Sequence, residues 1–385
     1  MASIKAGVIG LGFIGPAHVE ALRRLGDVEV IAVAGARSGT ARAKAAKLSI
    51  PRAYGNWRDL VADPDVQVVH NCTPNFLHYQ INMAVISAGK PIVSEKPLAM
   101  DAPQAAKLLQ AVQEAGIIHA VCFHNRMYPL TQEMKARVAR DDIGEVRLVH
   151  GTYLQDWLLY DTDYNWRIDP ALGGAARTMG DIGSHWCDLA QFVSGLKITE
   201  VYADLVTFPP TRRKPKTHVE AFAGVGLQPE DFDEVEVTTE DCGLILLRFE
   251  KGAHGACVLS QMCAGRKNHL TLEVNGARGS LAWNLERPNE LWLGHRDRPN
   301  ELLPKDPSLL APTARPYAHY PGLHNEGYPD AFKNLFQEVY AAVRDGGKMP
   351  DAPTWPTFEA GYQANLVVDA ILQSAREQRW VAIEC

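Results

Sequence analysis

A short glycine pattern, Gly10-Leu11-Gly12-Phe13-Ile14-Gly15, lies directly after an apolar run and directly before a helical one. No other stretch of the chain narrows its fold as much. The first glycine permits a tight strand-to-helix turn. The second lets a pyrophosphate approach the backbone, and the third lets helix and strand pack closely. The helix N-terminus that follows offers amide donors and a partial positive charge, which suit phosphate. The pattern predicts a dinucleotide-binding βαβ unit, with Gly10, Gly12, Phe13, Ile14 and Gly15 against the cofactor.

The same rhythm continues for over a hundred residues. Residues 6–9, 30–34, 66–70, 91–94 and 117–123 are short runs rich in Val and Ile, as expected of strands buried on both faces of a parallel sheet. Helical patterns at 17–25, 40–48, 78–88 and 104–115 alternate with them, and Asp101 before Ala102-Pro103 reads as an N-cap. Residues 1–125 are therefore expected to form an N-terminal Rossmann domain, a doubly wound parallel α/β sheet. Near Gly144 the rhythm changes to strands at 146–154, 199–207, 242–249, 256–261, 269–274 and 280–284, interrupted by one helix at 184–193. Residues 126–385 are expected to form a C-terminal α+β domain with a large, mostly antiparallel open sheet. Two closing helices are read at 330–343 and 358–377, the last of them packing back on the first domain. The basic run 211–216 and the acidic, Gly- and Pro-punctuated stretch 224–240 read as solvated loops, and 299–320 as an ordered excursion.

A chain of 385 residues exceeds one ordinary core, which supports two domains. With 46% hydrophobic and 22% charged residues it is an ordinary globular composition, and a net charge of −6 gives no footprint for nucleic acid or an anionic membrane. No signal-type apolar stretch opens the sequence, and no run reaches the ~18 residues of a membrane span. Seven scattered cysteines without a Cys-x-x-Cys suit a reducing cytoplasm.

Two further motifs carry chemistry. Ser94-Glu95-Lys96-Pro97 follows a strand, where the C-terminal strand ends of an open α/β sheet line the ligand crevice. A lysine there can donate to a substrate hydroxyl and stabilise a developing alkoxide. In Gly180-Asp181-Ile182-Gly183-Ser184-His185-Trp186-Cys187-Asp188, helical spacing would put 181, 185 and 188 on one face. A carboxylate one turn from an imidazole makes an oriented acid–base pair. No third ligand pattern accompanies it, so no metal is expected. After the second strand, where an acidic residue would hold the ribose of NAD, the sequence has Arg37 and Ser38. NAD or NADP is expected, with the missing acid pointing toward NADP.

Taken together, Gly-x-Gly-x-x-Gly, Glu-Lys-Pro and Asp-x-Gly-x-His make the chain resemble the Gfo/Idh/MocA oxidoreductases over nearly its whole length. The resemblance implies a dehydrogenase of sugars, polyols or related ring alcohols, with Lys96, Asp181 and His185 as its catalytic set. It also implies that Thr73, Pro74, Asn75, His78, Glu95, Lys96, Asn125, Trp166 and Arg167 face the cofactor. The stretch from Tyr153 to Tyr160 and the loop 318–324 resemble the branch of the family containing levoglucosan dehydrogenase, which implies a pyranose or anhydrosugar oxidised at C3. Tyr128, Gln155, Trp157 and His324, with Asp181 and His185, are the substrate-binding candidates, because amides and imidazoles pair with hydroxyls and indoles cover sugar faces. Self-association as a homodimer or homotetramer through an open sheet is expected. Two other readings stay open. One is a redox-assisted glycoside-cleaving enzyme, distinguished by aglycone release without net cofactor reduction. The other is a non-catalytic sugar or nucleotide sensor.

Overall fold

The structure, a computed structural model, describes residues 3–216 and 231–384. The chain divides into two compact units, residues 1–124 with 328–365, and residues 125–327 with 366–385. In the first, β1 (Ile4–Ile9), α1 (Ile14–Arg23), β2 (Val28–Ala34), α2 (Ser38–Lys47), β3 (Arg52–Tyr54), α3 (Trp57–Ala62), β4 (Val68–Asn71), α4 (His78–Ser87), β5 (Ile92–Ser94), α5 (Ala102–Ala115) and β6 (His119–Val121) follow in turn. The six strands lie in the order β3-β2-β1-β4-β5-β6, and every neighbouring pair is parallel. The order reverses between β1 and β4, which is where a doubly wound sheet opens its ligand crevice. Val8, Val33, Val69 and Val93 are fully buried, as strands covered by helices on both faces require. Asp101 caps α5 by accepting from the Gln104 N–H at 2.8 Å, and Gly116 closes it at φ 62°. The sequence reading missed β3 and α3. Each is short, and β3 has no buried residue to give it a period.

The second unit holds α6 (Pro129–Ala139), β7 (Val146–Leu154), α7 (Pro170–Gly173), α8 (Ser184–Ser194), β8 (Ile198–Val206), β9 (Thr211–Pro215), β10 (Phe232–Glu236), β11 (Cys242–Phe249), β12 (His254–Ser260), β13 (His269–Gly276), β14 (Ser280–Asn284), β15 (Glu290–Gly294) and β16 (Glu301–Pro304). Its nine-stranded sheet runs β16-β15-β14-β13-β7-β12-β11-β8-β17, where β17 is Val381–Ala382. Neighbours are antiparallel except β7 and β12. The basic run and the acidic stretch are not both loops. They form one two-stranded ribbon in which Arg213 faces Glu234 and Lys214 faces Asp233. Opposite charges directly across a strand pair support it, and each half alone reads as solvated sequence. Residues 224–230 of the acidic stretch lie outside the described residues.

Two helices close the chain. α9 (Tyr328–Arg344) belongs to the first unit, although the sequence boundary put all of 126–385 in the second domain. Its apolar side buries Phe332, Phe336 and Tyr340, and Arg24–Asp330 (2.5 Å) and Arg344–Asp27 (2.6 Å) tie its ends to the α1 region. α10 (Phe358–Glu377) contributes 358–365 to the first unit, where Asn365 donates to the Ala99 carbonyl at 3.0 Å, and the rest to the second. Among the described residues no helix is long and apolar enough to cross a membrane.

Candidate active site

In the first unit, the three glycines of the turn meet three different demands. Gly10 has φ +94°, and a Cβ there would lie 2.4 Å from the Cys72 carbonyl oxygen. A Cβ on Gly15 would lie 2.1 Å from the Gly10 oxygen. Both positions are closed to other residues by the chain itself. A Cβ on Gly12 would meet nothing within 4 Å, so no internal contact requires glycine there. A bare backbone facing open space is what a pyrophosphate needs, and the group fits here. α1 begins after Phe13, whose side chain cannot accept a hydrogen bond, and its first turn has no acidic residue to compete with a phosphate. The Lys44 ammonium reaches the Leu11 carbonyl at 2.7 Å, adding a cation that the sequence reading overlooked because it sits on the second helix. Arg37 and Ser38 are exposed where α2 begins.

At the ends of β4 and β5 a polar lattice fixes the next two loops. Thr73 Oγ1 donates to Asn71 Oδ1 (2.7 Å), Asn71 Nδ2 to Asn82 Oδ1 (2.7 Å), and Asn82 Nδ2 to Ser94 Oγ (2.9 Å). His78 is 1% exposed, and its two ring nitrogens stand 2.7 Å from the Pro97 carbonyl and 2.8 Å from the Thr73 carbonyl. Burial draws its pKa down, opposed by the two carbonyls and Glu95. His78 thus spans the Thr73–Asn75 loop and the Lys96–Pro97 corner. Lys96 precedes a cis proline, and its own N–H donates to Glu95 Oε2 at 3.1 Å. Burial works to raise the Glu95 pKa, but hydrogen bonding from His18 and the charge of Lys96 hold it below the usual carboxylate value.

The second unit supplies the other candidates. Asp181 does not sit in a regular α-helix. Residues Met179–Gly183 form one wide π-type turn that runs into α8, a geometry common at functional sites. Gln261 Nε2 donates to Asp181 Oδ2 at 2.8 Å, and Arg167 Nε stands 3.2 Å from Oδ1, with its guanidinium 4.4 Å from the Trp166 ring centroid. His185, 4% exposed, follows four residues later. Asp188 does not share this site, because its carboxylate binds Arg126 in a bidentate pair. The segment entering the wide turn is held by backbone. Glu240 Oε1 accepts from the N–H groups of Arg177 (3.0 Å) and Met179 (2.8 Å), as a capping carboxylate does. Next to it, Asp241 pairs with both Arg177 and Arg212, all three fully buried. Arg212, assigned to a solvated loop by its sequence, is thus the anchor of β9. Removing Asp241 would strand two buried cations.

Gln155 and Trp157 do come together. The Trp157 indole donates to Gln155 Oε1 (2.8 Å), and Gln155 Nε2 and the Tyr153 hydroxyl both donate to Asn268 Oδ1 (3.0 and 2.8 Å). Burial, then the Asp181 charge, pushes the Tyr153 phenol up, so it remains a donor. Tyr128 is 2% exposed with its ring 5.3 Å from Trp283, and Asn125 is fully buried. His324 is exposed on a loop built around the buried Lys305, which donates to the carbonyls of Tyr320 (3.0 Å) and His324 (2.8 Å). Gln261, Glu240, Asn268 and Lys305 were not foreseen. They act on residues far away in sequence, and only Gln261, the polar end of an apolar strand, left a local trace.

Comparison with known proteins gives one answer. Residues 4–123 match the model described as "Oxidoreductase family, NAD-binding Rossmann fold", and residues 131–282 match the GFO/IDH/MocA C-terminal domain. The chain is 30% identical to levoglucosan dehydrogenase of Pseudarthrobacter phenanthrenivorans across 100% of this chain and 99% of that protein. It is 26% identical to myo-inositol 2-dehydrogenase of Thermotoga maritima across 72% and 74% of the two chains. Among solved structures it resembles levoglucosan dehydrogenase in complex with NADH and levoglucosan, with a TM-score of 0.88, 28% identity and full coverage of both chains.

Proposed function

The chain belongs to the GFO/IDH/MocA family of oxidoreductases, and on that premise we propose that it oxidises a ring hydroxyl of a sugar, anhydrosugar or polyol, at C3 of a pyranose ring, using NAD or NADP. The observation that carries this reading is the Asp181 carboxylate, fixed between Gln261 and Arg167 one turn before His185. A dehydrogenase of alcohols needs a base with a defined orientation, and this is how a protein provides one. His185 takes the hydroxyl proton, and Lys96 donates to the same oxygen as negative charge develops. Asp181 orients the base and accepts from a neighbouring hydroxyl. The nicotinamide, when bound, supplies the hydride acceptor. Gln155, Trp157, Tyr128 and His324 grip the hydroxyls that do not react. For the cofactor, Gly10, Gly12, Phe13, Ile14 and Gly15 receive the pyrophosphate. Thr73, Pro74, Asn75, His78, Glu95, Asn125, Trp166 and Arg167 complete its site. A panel of sugars and polyols followed at 340 nm with each cofactor tests the reading. No turnover of any of them with either cofactor would overturn it.

NADP is favoured over NAD, because β2 ends without a carboxylate and Arg37 and Ser38 stand exposed at the start of α2. Titration with each reduced cofactor is expected to show binding of both, tighter for the phosphorylated one. A strong preference for NADH would show that Arg37 does not read the 2′-phosphate. The six described cysteines are free thiols, which suits a cytoplasmic enzyme.

The same reading includes self-association. Leu148 (41%), Leu244 (48%), Leu246 (50%) and Val258 (39%) are exposed on the nine-stranded sheet, with Leu244 directly opposite Val258. An apolar face of this kind calls for cover. A face-to-face homodimer, or a pair of such dimers, is expected by sedimentation at micromolar concentration, and Leu244→Glu with Leu246→Glu is expected to leave single chains. A monomeric wild type would refute the assembly.

A further inference from the structure

Behind the Glu95–Lys96 corner lies a line of buried polar side chains that the proposed reaction does not use. The Tyr340 hydroxyl on α9 is 3.0 Å from His70 Nε2 on β4, and His70 Nδ1 is 3.0 Å from His18 Nδ1 on α1. His18 Nε2 is 3.1 Å from Glu95 Oε1. Tyr340, His70 and His18 are 0% exposed and Glu95 7%. Phe336 lies 4.8 Å from both imidazole rings, centroid to centroid, so the line runs through an apolar sheath.

Proton counting gives the line a direction. An ionised Glu95 can only accept, so His18 Nε2 carries a proton. Between the two facing Nδ1 atoms there is room for one proton. Burial in an apolar setting keeps His70 neutral. With that proton on His70, its Nε2 is a bare acceptor, and the Tyr340 hydroxyl, kept protonated by burial, donates to it. Every donor then points toward Glu95. The alternative arrangement would need an imidazolium at His18 and would leave the Tyr340 proton to find another acceptor. His18, Glu95 and Cys122 have ligand atoms close enough to hold a metal ion, but burial and Glu95 push the Cys122 thiol up, away from the thiolate a metal requires.

We propose that Tyr340, His70 and His18 are positioning residues for Lys96, a hydrogen-bonded strut that ends on Glu95. One Glu95 oxygen is taken by His18 and the other by the Lys96 N–H, so the strut fixes both the backbone that carries Lys96 and a counter-charge beside it. The groups facing Glu95 are His18, Lys96, His124, His78, Cys72 and Cys122, and none of them is a carboxylate that could replace it. The inference rests on the catalytic assignment of Lys96 above.

The test has two arms. First, 15N NMR of the wild-type protein labelled at histidine is expected to find His70 as the Nδ1–H tautomer and His18 as the Nε2–H tautomer. This readout needs no activity, so it stands even if the dehydrogenase reading fails. Second, His18→Leu is expected to lower kcat by ~10-fold or more, since a misplacement of about 1 Å can cost up to 10²-fold. KM and NADH affinity should hold within about twofold. His18→Gln, whose amide can still donate to Glu95, is expected to recover most of the rate, and Tyr340→Phe to shift the His70 tautomer. Wild-type kcat in His18→Leu, or an Nε2–H tautomer at His70, would overturn the strut.

Discussion

Lys96→Ala and His185→Ala are each expected to lower turnover by ~100-fold or more, the usual scale for removing an oxyanion donor or a general base. NADH affinity and Tm should stay near wild type. The reasoning follows from what holds each side chain. The backbone around Lys96 is fixed by Glu95 and by His78 at the Pro97 carbonyl, so deleting the side chain beyond Cβ leaves the corner in place. His185 sits at the start of α8, whose entry is fixed by Glu240 through backbone amides and not through the imidazole. Loss of charge management on the reacting oxygen lowers kcat and kcat/KM together, because the interaction is made in the transition state. If His185→Ala instead unfolds the protein while the folded remainder turns over normally, His185 is structural. Steady-state kinetics together with thermal melts of both variants decide.

The second large effect is on stability. As the pH falls from about 6.5 to about 4, the first unit is expected to lose on the order of 3 kcal/mol for each of His119 and His124. Both pKa values are drawn down to about 4 in the fold, His119 by burial and His124 by burial with Lys96 adding to it against Glu95. The geometry gives the same sign. The Phe358 N–H donates to His119 Nδ1 at 3.1 Å, so protonation there would break that bond. His124 stacks on Phe332 with centroids 4.5 Å apart, a poor place for a cation. An unfolded chain takes up these protons at its ordinary histidine pKa of about 6.5, whereas the folded chain refuses them until about 4. The contribution is therefore complete above pH 6.5 and disappears as the pH drops through the folded values. His70 adds in the same direction. Urea melts at pH 7, 6 and 5 on wild type and His119→Asn should show a flatter pH slope in the variant. A wild-type midpoint constant over that range would rule the effect out.

Local signals in the sequence were enough for most of the fold. The glycine turn, the apolar strands of the first sheet and the Asp101 cap each depend on residues within a few positions of one another. The second unit's strands carried their alternation openly, as in Leu244 and Leu246 outward against Ile245 and Leu247 inward. What stayed hidden was set by pairing at a distance. The β9–β10 ribbon exists because a basic strand meets an acidic one, and neither half announces a strand alone. α9 has a clear amphipathic period, but nothing in that period says which unit it will cover. The site divides in the same way. The candidates Lys96, Asp181 and His185 stand in motifs that local sequence shows, but the wide turn at Met179–Gly183 does not, because it depends on Glu240, some sixty residues later in the chain.

Several charged or titratable side chains in this protein grip main chain, three of them beside the candidate site. His78 holds the carbonyls of Thr73 and Pro97, Glu240 the amides of Arg177 and Met179, and Lys305 the carbonyls of Tyr320 and His324. A bond to a peptide group is blind to the identity of the residue it holds. The loops so fastened can therefore change their side chains freely and keep their course. On the proposed reading, a change of substrate preference is reachable by point substitution at His324 without altering the course of its loop, which makes that loop the natural target for redesign.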